Sequence, residues 1–290
     1  RMYGRSLHIS RQMAALPDSP RADEARRDLL RGQCNCPYWH GIFGGHYLPH
    51  LREGVWRHLL RAEKLAQEAS PLEDGILCER IDIDLDGRDE IFLRNDHLAA
   101  VIAPAGGRVL EYSLNGTNAL YLNPAQQGWR HVPGIPSVDP CGGRLDVGPE
   151  KTLTPHPDLW LGDWTGEIVG EGRARLTSAR DRMTGLRLVR EFTLAPDSSR
   201  LTVEQRVTNE SDKPVTCCHW SRTLAAGGGI VLIPLTSDSR FPKSYIMYGP
   251  KDVNAMFFQP VDPNIRVRDG FLEILGTPKF PKLGMDSAAG

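Results

Sequence analysis

The feature that most constrains the fold is a change of hydrophobic period around residues 71–75. Before it, Leu48, Leu51, Val55, Leu59, Ala62 and Ala66 recur at three- and four-residue steps. Arg52, Arg57, Arg61, Glu63, Lys64 and Glu68 fall mostly between them, the period of a half-buried helix. After the turn Pro71 to Gly75 the pattern becomes strand, turn, strand, through Glu79–Asp84, Glu90–Arg94, Leu98–Ile102 and Arg108–Tyr112. Asp86-Gly87, Asn95-Asp96 and Asn115-Gly116 supply the turns. Further strands are expected over 167–169, 172–176, 186–194, 201–208, 215–224, 229–235, 244–248, 264–267 and 271–275, with no amphipathic helix among them. The fold class is therefore α+β and multi-domain: a small helical bundle segment over 1–72, then a large antiparallel β-sandwich over 73–290.

The helical part is legible in detail. Residues 1–16 carry Leu7, Ile9, Met13 and Leu16 at helical spacing. Ser19 is placed to cap a second helix, Pro20 stands at its first position, acids follow in the first turn, and Gly32 should end it. So few helices cannot bury their own apolar faces and need a neighbour.

Composition narrows the partners. With 35 basic and 36 acidic residues the net charge is -1, and no basic run offers a footprint for nucleic acid or a membrane surface. Six cysteines at irregular positions do not read as a disulfide framework, which fits a reducing cytoplasm.

Between the second and third helices lies the stretch Gln33 to Leu51, dense in Cys, His, Gly and aromatic residues. Three chemistries suit it. Cys34, Cys36 and His40 suggest zinc but lack the second paired half of a structural site. A cysteine nucleophile beside a histidine is the second. The third is sugar recognition: Trp39 would stack on a pyranose while Gln33, Asn35, Tyr38 and His40 bond its hydroxyls. Against all three stands the plain reading of Trp39, Phe43 and Tyr47 as core aromatics between helices.

The run Gln33 to Arg52 resembles the last conserved sequence region of family-57 glycoside hydrolases, the group of α-amylases and 4-α-glucanotransferases. The resemblance implies a helical domain that follows a catalytic (β/α)7 barrel and closes over its cleft, with Trp39 and His40 lining sugar subsites and Gln33 and Asn35 nearby. Many members carry Asp where this chain has Cys36. It also implies a retaining mechanism, whose two carboxylates must stand about 5 Å apart and would come from a barrel before residue 1. No catalytic residue is then expected here, the chain reads as an internal piece with its sandwich truncated at the C-terminus, and the partners are an α-glucan or other oligosaccharide and the upstream barrel. Asp82 to Glu90 and Asn95 to Tyr112 resemble the start of the family's C-terminal β-domain, itself similar to the galactose-mutarotase supersandwich; the likeness fades after Leu122.

Two further tracts bear chemistry. Asp82 to Glu90 alternates acids around Gly87 like a calcium loop, but it lacks the glutamate six residues after the glycine, and Asp86-Gly87 also makes a natural hairpin turn. No metal or cofactor is expected. The Gly- and Pro-rich tract 141–164, with strand 215–224, suggests a second sugar site from Arg144, Glu150, His156, Trp160, Trp164 and His219. An aldose-1-epimerase would use His156 or His219 as acid and Glu150 as base, beside Arg222. A buried polar network with two core tryptophans accounts for the same residues. A non-catalytic carbohydrate-binding module is the remaining alternative.

Overall fold

The computed structural model describes residues 1–39, 44–121, 143–148, 157–160, 162–247, 261–279 and 282–286. The helices are α1 (Met2–Ala14), α2 (Pro20–Gly32) and α3 (Pro49–Ala69). Ser19 caps α2 as its position implies: its Oγ accepts the Ala22 N–H at 3.1 Å, and Pro20 opens the helix. The three helices share a core of Ile9, Met13, Ala25, Leu29, Val55, Leu59, Ala62, Leu65 and Ala66. Asp28 of α2, fully buried, pairs with His58 Nδ1 and Arg61 Nε of α3, each at 2.9 Å, and fixes the two helices in register.

The strands are β1 (Ile76–Ile81), β2 (Glu90–Asn95), β3 (Leu98–Ala103), β4 (Arg108–Leu114), β5 (Thr117–Asn118) and β6 (Gly143–Gly148), then the short helix α4 (Pro157–Trp160). They continue with β7 (Thr165–Gly170), β8 (Arg173–Thr177), β9 (Leu186–Leu194), β10 (Leu201–Asn209) and β11 (Cys218–Thr223). The last are β12 (Ile230–Pro234), β13 (Ile246–Met247), β14 (Ile265–Arg268), β15 (Phe271–Leu275) and β16 (Leu283–Gly284).

Two antiparallel sheets make the sandwich. One runs β1-β2-β3-β4-β6-β11 with β5 on β4, the other β10-β9-β8-β7. Strict alternation makes this possible: β9 buries every second residue from Leu186 to Leu194 and leaves the others partly exposed. Ile91, Leu93, Ala100 and Ile102 of the first sheet meet Ala174, Leu176, Leu188 and Phe192 of the second in one apolar core. Asn95 ties the turns together. Its Nδ2 donates to the carbonyls of Ala195 and Ser198, and its Oδ1 accepts from the N–H groups of His97 and Leu98.

The other face of the first sheet buries Ile83, Phe92, Val101, Ala103 and Leu110, and its contact with the helices includes a buried ionic one. Arg5 of α1, fully buried, donates Nη1 and Nη2 to the Glu63 carboxylate of α3 at 2.9 and 2.8 Å. The same guanidinium donates Nε and Nη2 to Glu111 of β4 at 3.1 and 2.8 Å. Burial opposes the charge on Arg5, but Glu111 and Glu63 outweigh it and hold the guanidinium above its ordinary value.

Residues 1–225 form one compact unit and 226–290 a second. α3 ends at Ala69 and β1 begins at Ile76, so the change of period falls inside the first unit. The second unit holds the sheet β12-β15-β14 and the pair β13-β16 around Tyr245, Met247, Ile265 and Leu272. No helix among the described residues is long and apolar enough to cross a membrane.

Candidate functional site

The connection from α2 to α3 is built from two single-turn 3-10 helices, Cys36–Tyr38 and Gly45–Tyr47, folded against each other. The Trp39 carbonyl joins them, accepting from the His46 backbone N–H and lying 3.1 Å from His46 Nδ1. Gly45 makes the approach feasible: its φ is +47°, and a Cβ there would lie 2.2 Å from the Trp39 oxygen. From below, buried Arg52 donates Nη1 to the His46 carbonyl at 2.5 Å.

This frame presents Trp39 to solvent with 48 % of its surface exposed. Gln33 and Asn35 are also exposed, and Gln33 Nε2 donates to Ser6 Oγ at 3.3 Å. Tyr38 turns inward. Its hydroxyl donates to the Gly32 carbonyl at 2.6 Å, its ring packs on the helical core, and burial pushes the phenol up to about 12. His40 lies outside the described residues, as does Phe43. The tryptophan that the sequence left between ligand surface and core is thus on the surface, while Tyr38 serves the helix junction. Cys34 and Cys36 are exposed free thiols.

The tract after residue 141 is different. β6 pairs with β11, placing Arg144 opposite Arg222 and Val147 opposite His219, although the sequence reads 143–148 as loop. Trp160 ends α4; Glu150 and His156 lie outside the described residues. Trp164 belongs to the sandwich core: 2 % exposed, with Nε1 donating to the Leu159 carbonyl at 3.2 Å. Gly107, at φ +58°, makes room for it, since a Cβ there would sit 2.7 Å from the indole. Of the two readings open for this residue, the structure has the core tryptophan, because a full indole is among the largest apolar surfaces a chain can bury.

Sequence reasoning missed Arg190. It points into the sandwich from β9, 4 % exposed, with Nη1 donating to the Gly107 carbonyl at 2.5 Å and its guanidinium 5.3 Å from the Phe192 ring centroid. Burial pulls it down to about 10. Partial burial, then the Arg190 charge, lowers His219 below its ordinary value. An inward arginine in an otherwise apolar alternation is the only signal the sequence carried for this.

Comparison with known proteins follows this division. Residues 1–66 match the family model described as α-amylase/4-α-glucanotransferase, middle domain. An α-amylase of Pyrococcus abyssi is 39% identical over 167 residues, 52% of this chain and 23% of that protein. A 4-α-glucanotransferase of Thermococcus kodakarensis is 38% identical over 138 residues, 47% of this chain and 19% of its own length. The chain thus spans about a fifth of these relatives. The crystal structure of the 4-α-glucanotransferase of Thermococcus litoralis superposes with a TM-score of 0.56 at 25% identity, covering 80% of this chain and 40% of that one. The helical segment 1–66 is thus similar to the middle domain of α-amylases and 4-α-glucanotransferases, and the chain continues from it into a β-sandwich.

Proposed function

We propose that this chain is the helical and β-sandwich portion of an α-glucan hydrolase or 4-α-glucanotransferase, and that it contributes sugar subsites through the connection between α2 and α3. The observation that carries the reading is Trp39, a large aromatic left half-exposed on a frame held by Gly45, His46 and Arg52. An indole fixed at its backbone offers a pyranose an apolar face at low entropic cost, and the amides of Gln33 and Asn35 on the same connection can bond hydroxyls. His40, next in the chain, completes the set by sequence.

The relatives extend far beyond the matched residues, which supports a catalytic barrel in the same polypeptide as the source of the two carboxylates of a retaining mechanism. The chain then supplies positioning and no proton transfer. We place the protein in the cytoplasm, a reading supported by the thiols of Cys34, Cys36, Cys78 and Cys217, all free. The functional division takes 1–72 as the substrate-facing part and 73–290 as the β-part that follows it.

The test is titration with maltooligosaccharides, following tryptophan fluorescence, in the wild type and Trp39→Ala. Loss of one stacking face should weaken binding roughly tenfold. Equal affinity in the two proteins would sink the assignment.

A further inference from the structure

Between β1 and β2 the chain makes a tight acidic loop. One carboxylate oxygen from each of Asp82, Asp84 and Asp86 lies within 4.8 Å of the others. Asp82 is held by two backbone donors, Oδ1 accepting from Asp86 N–H and Oδ2 from Gly87 N–H, both at 3.0 Å. Arg1 Nε lies 3.3 Å from Asp84 Oδ2. The other nearby cations serve acids outside the cluster: Arg88 pairs with Asp163 at 2.7 Å and Arg80 with Asp89 at 3.4 Å.

Clustered surface acids alone would mean little. Asp84, however, is not a surface acid: its side chain is 8 % exposed and its Oδ1 is buried with no hydrogen-bond partner. A buried carboxylate oxygen left unbonded costs about 1–3 kcal/mol, so native proteins keep one chiefly where something else fills the place. Glu90, at the start of β2 and 3 % exposed, is committed to the backbone, its Oε2 accepting the Ile83 N–H at 3.1 Å.

We propose that Asp82, Asp84 and Asp86 bind one calcium ion and that this ion pins the hairpin between β1 and β2. The spacing agrees. Counting Asp82 as the first position of a calcium loop, Asp84 and Asp86 fall at the third and fifth, Gly87 at the sixth, the main-chain carbonyl of Arg88 at the seventh and Glu90 at the ninth. The loop pattern, acids at alternate positions followed by a main-chain carbonyl, is one that calcium uses, whereas magnesium keeps several waters and is held by only one or two carboxylates. The twelfth position is Leu93, buried in the sandwich core, so the bidentate glutamate of sensor loops is absent. This makes the site a weak structural one, in the range of about 10⁻⁴ to 10⁻³ M.

The experiment is calorimetric titration of the EGTA-treated full chain with calcium and with magnesium chloride, paired with thermal unfolding. Calcium should bind once per chain in that range and raise the unfolding temperature by several degrees at saturation, about tenfold more tightly than magnesium. Asp86→Asn, an exposed change that keeps the oxygen accepting from Arg88 N–H, should weaken binding at least about tenfold, while Asp89→Asn should leave it unchanged. No saturable calcium effect at about 20 mM, well above that range, would overturn the proposal. So would equal affinity in wild type, Asp82→Asn and Asp86→Asn, or an equal response to magnesium.

Discussion

Both faces of the seven-stranded sheet bury apolar residues, but one of them also buries a set of paired charges. On one face Ile91, Leu93, Ala100 and Ile102 meet the second sheet through apolar contact alone over most of the interface. On the other, α1 and α3 dock through Arg5, Glu63 and Glu111, three charged groups with almost no exposure. Apolar burial is strong but indifferent to small slips, whereas a guanidinium shared between two carboxylates is satisfied at one geometry only. The difference suggests a division of labour: the sandwich supplies stability, and the ion triad sets where the helices, and the Trp39 connection between them, sit on the sheet.

The largest break should come from Arg5→Met. It leaves Glu63 and Glu111 buried without a counter-charge and should cost about 3–5 kcal/mol in chemical denaturation. Combining it with Glu63→Leu and Glu111→Leu should recover much of that loss, since a matched apolar set avoids the desolvation of charge. A triple variant no more stable than Arg5→Met would show that the triad carries net stability as well as geometry.

On the apolar face, Leu188→Ala should cost about 2–5 kcal/mol through lost burial and the cavity left behind. Maltooligosaccharide binding per folded molecule should stay as in the wild type, because this face does not position Trp39. A comparable fall in affinity of the folded fraction would erase the proposed contrast.

Acid should attack the helical side first. His8 of α1, 11 % exposed, is pulled down to about 4 by burial and by the charges of Arg5 and Arg11, with Glu63 opposing. A histidine depressed in the folded state binds its proton more readily when unfolded, so its contribution is whole above about pH 6.5 and is lost as pH falls toward 4. The loss should approach roughly 2–3 kcal/mol, and His8→Gln should flatten that part of the stability profile. An unchanged slope in the variant would assign the acid sensitivity elsewhere. The smallest effect belongs to the cap: Ser19→Ala should cost about 1 kcal/mol and leave sugar affinity intact, as read by thermal unfolding and titration.

How much of this was legible depends on the sequence distance over which each feature is decided. α2 runs from Pro20 to Gly32, as its cap, proline and terminal glycine imply, because each of those signals acts within a turn of its own backbone. β9 was equally plain: alternation over 186–194 is a local record of a strand between core and solvent. β6 was hidden. Its glycines and its place in a proline-rich tract read as loop, and its partner β11 lies some seventy residues further on.

By itself the sequence determined the first three helices and most of the strands, the capped start of α2, the kinship of residues 1–66 with the α-amylase/4-α-glucanotransferase middle domain, and the spacing of the acidic loop. Each of these rests on backbone propensity or on residue types at short separation. Only the tertiary structure decided that Trp39 faces solvent while Trp164 fills the core, and that Arg5 joins Glu63 and Glu111 from 58 and 106 residues away. It alone left Asp84 Oδ1 buried without a partner. Burial and charge pairing depend on which surfaces the folded chain brings together, and residue type does not fix that: the same indole is a core residue or a binding face according to what packs against it.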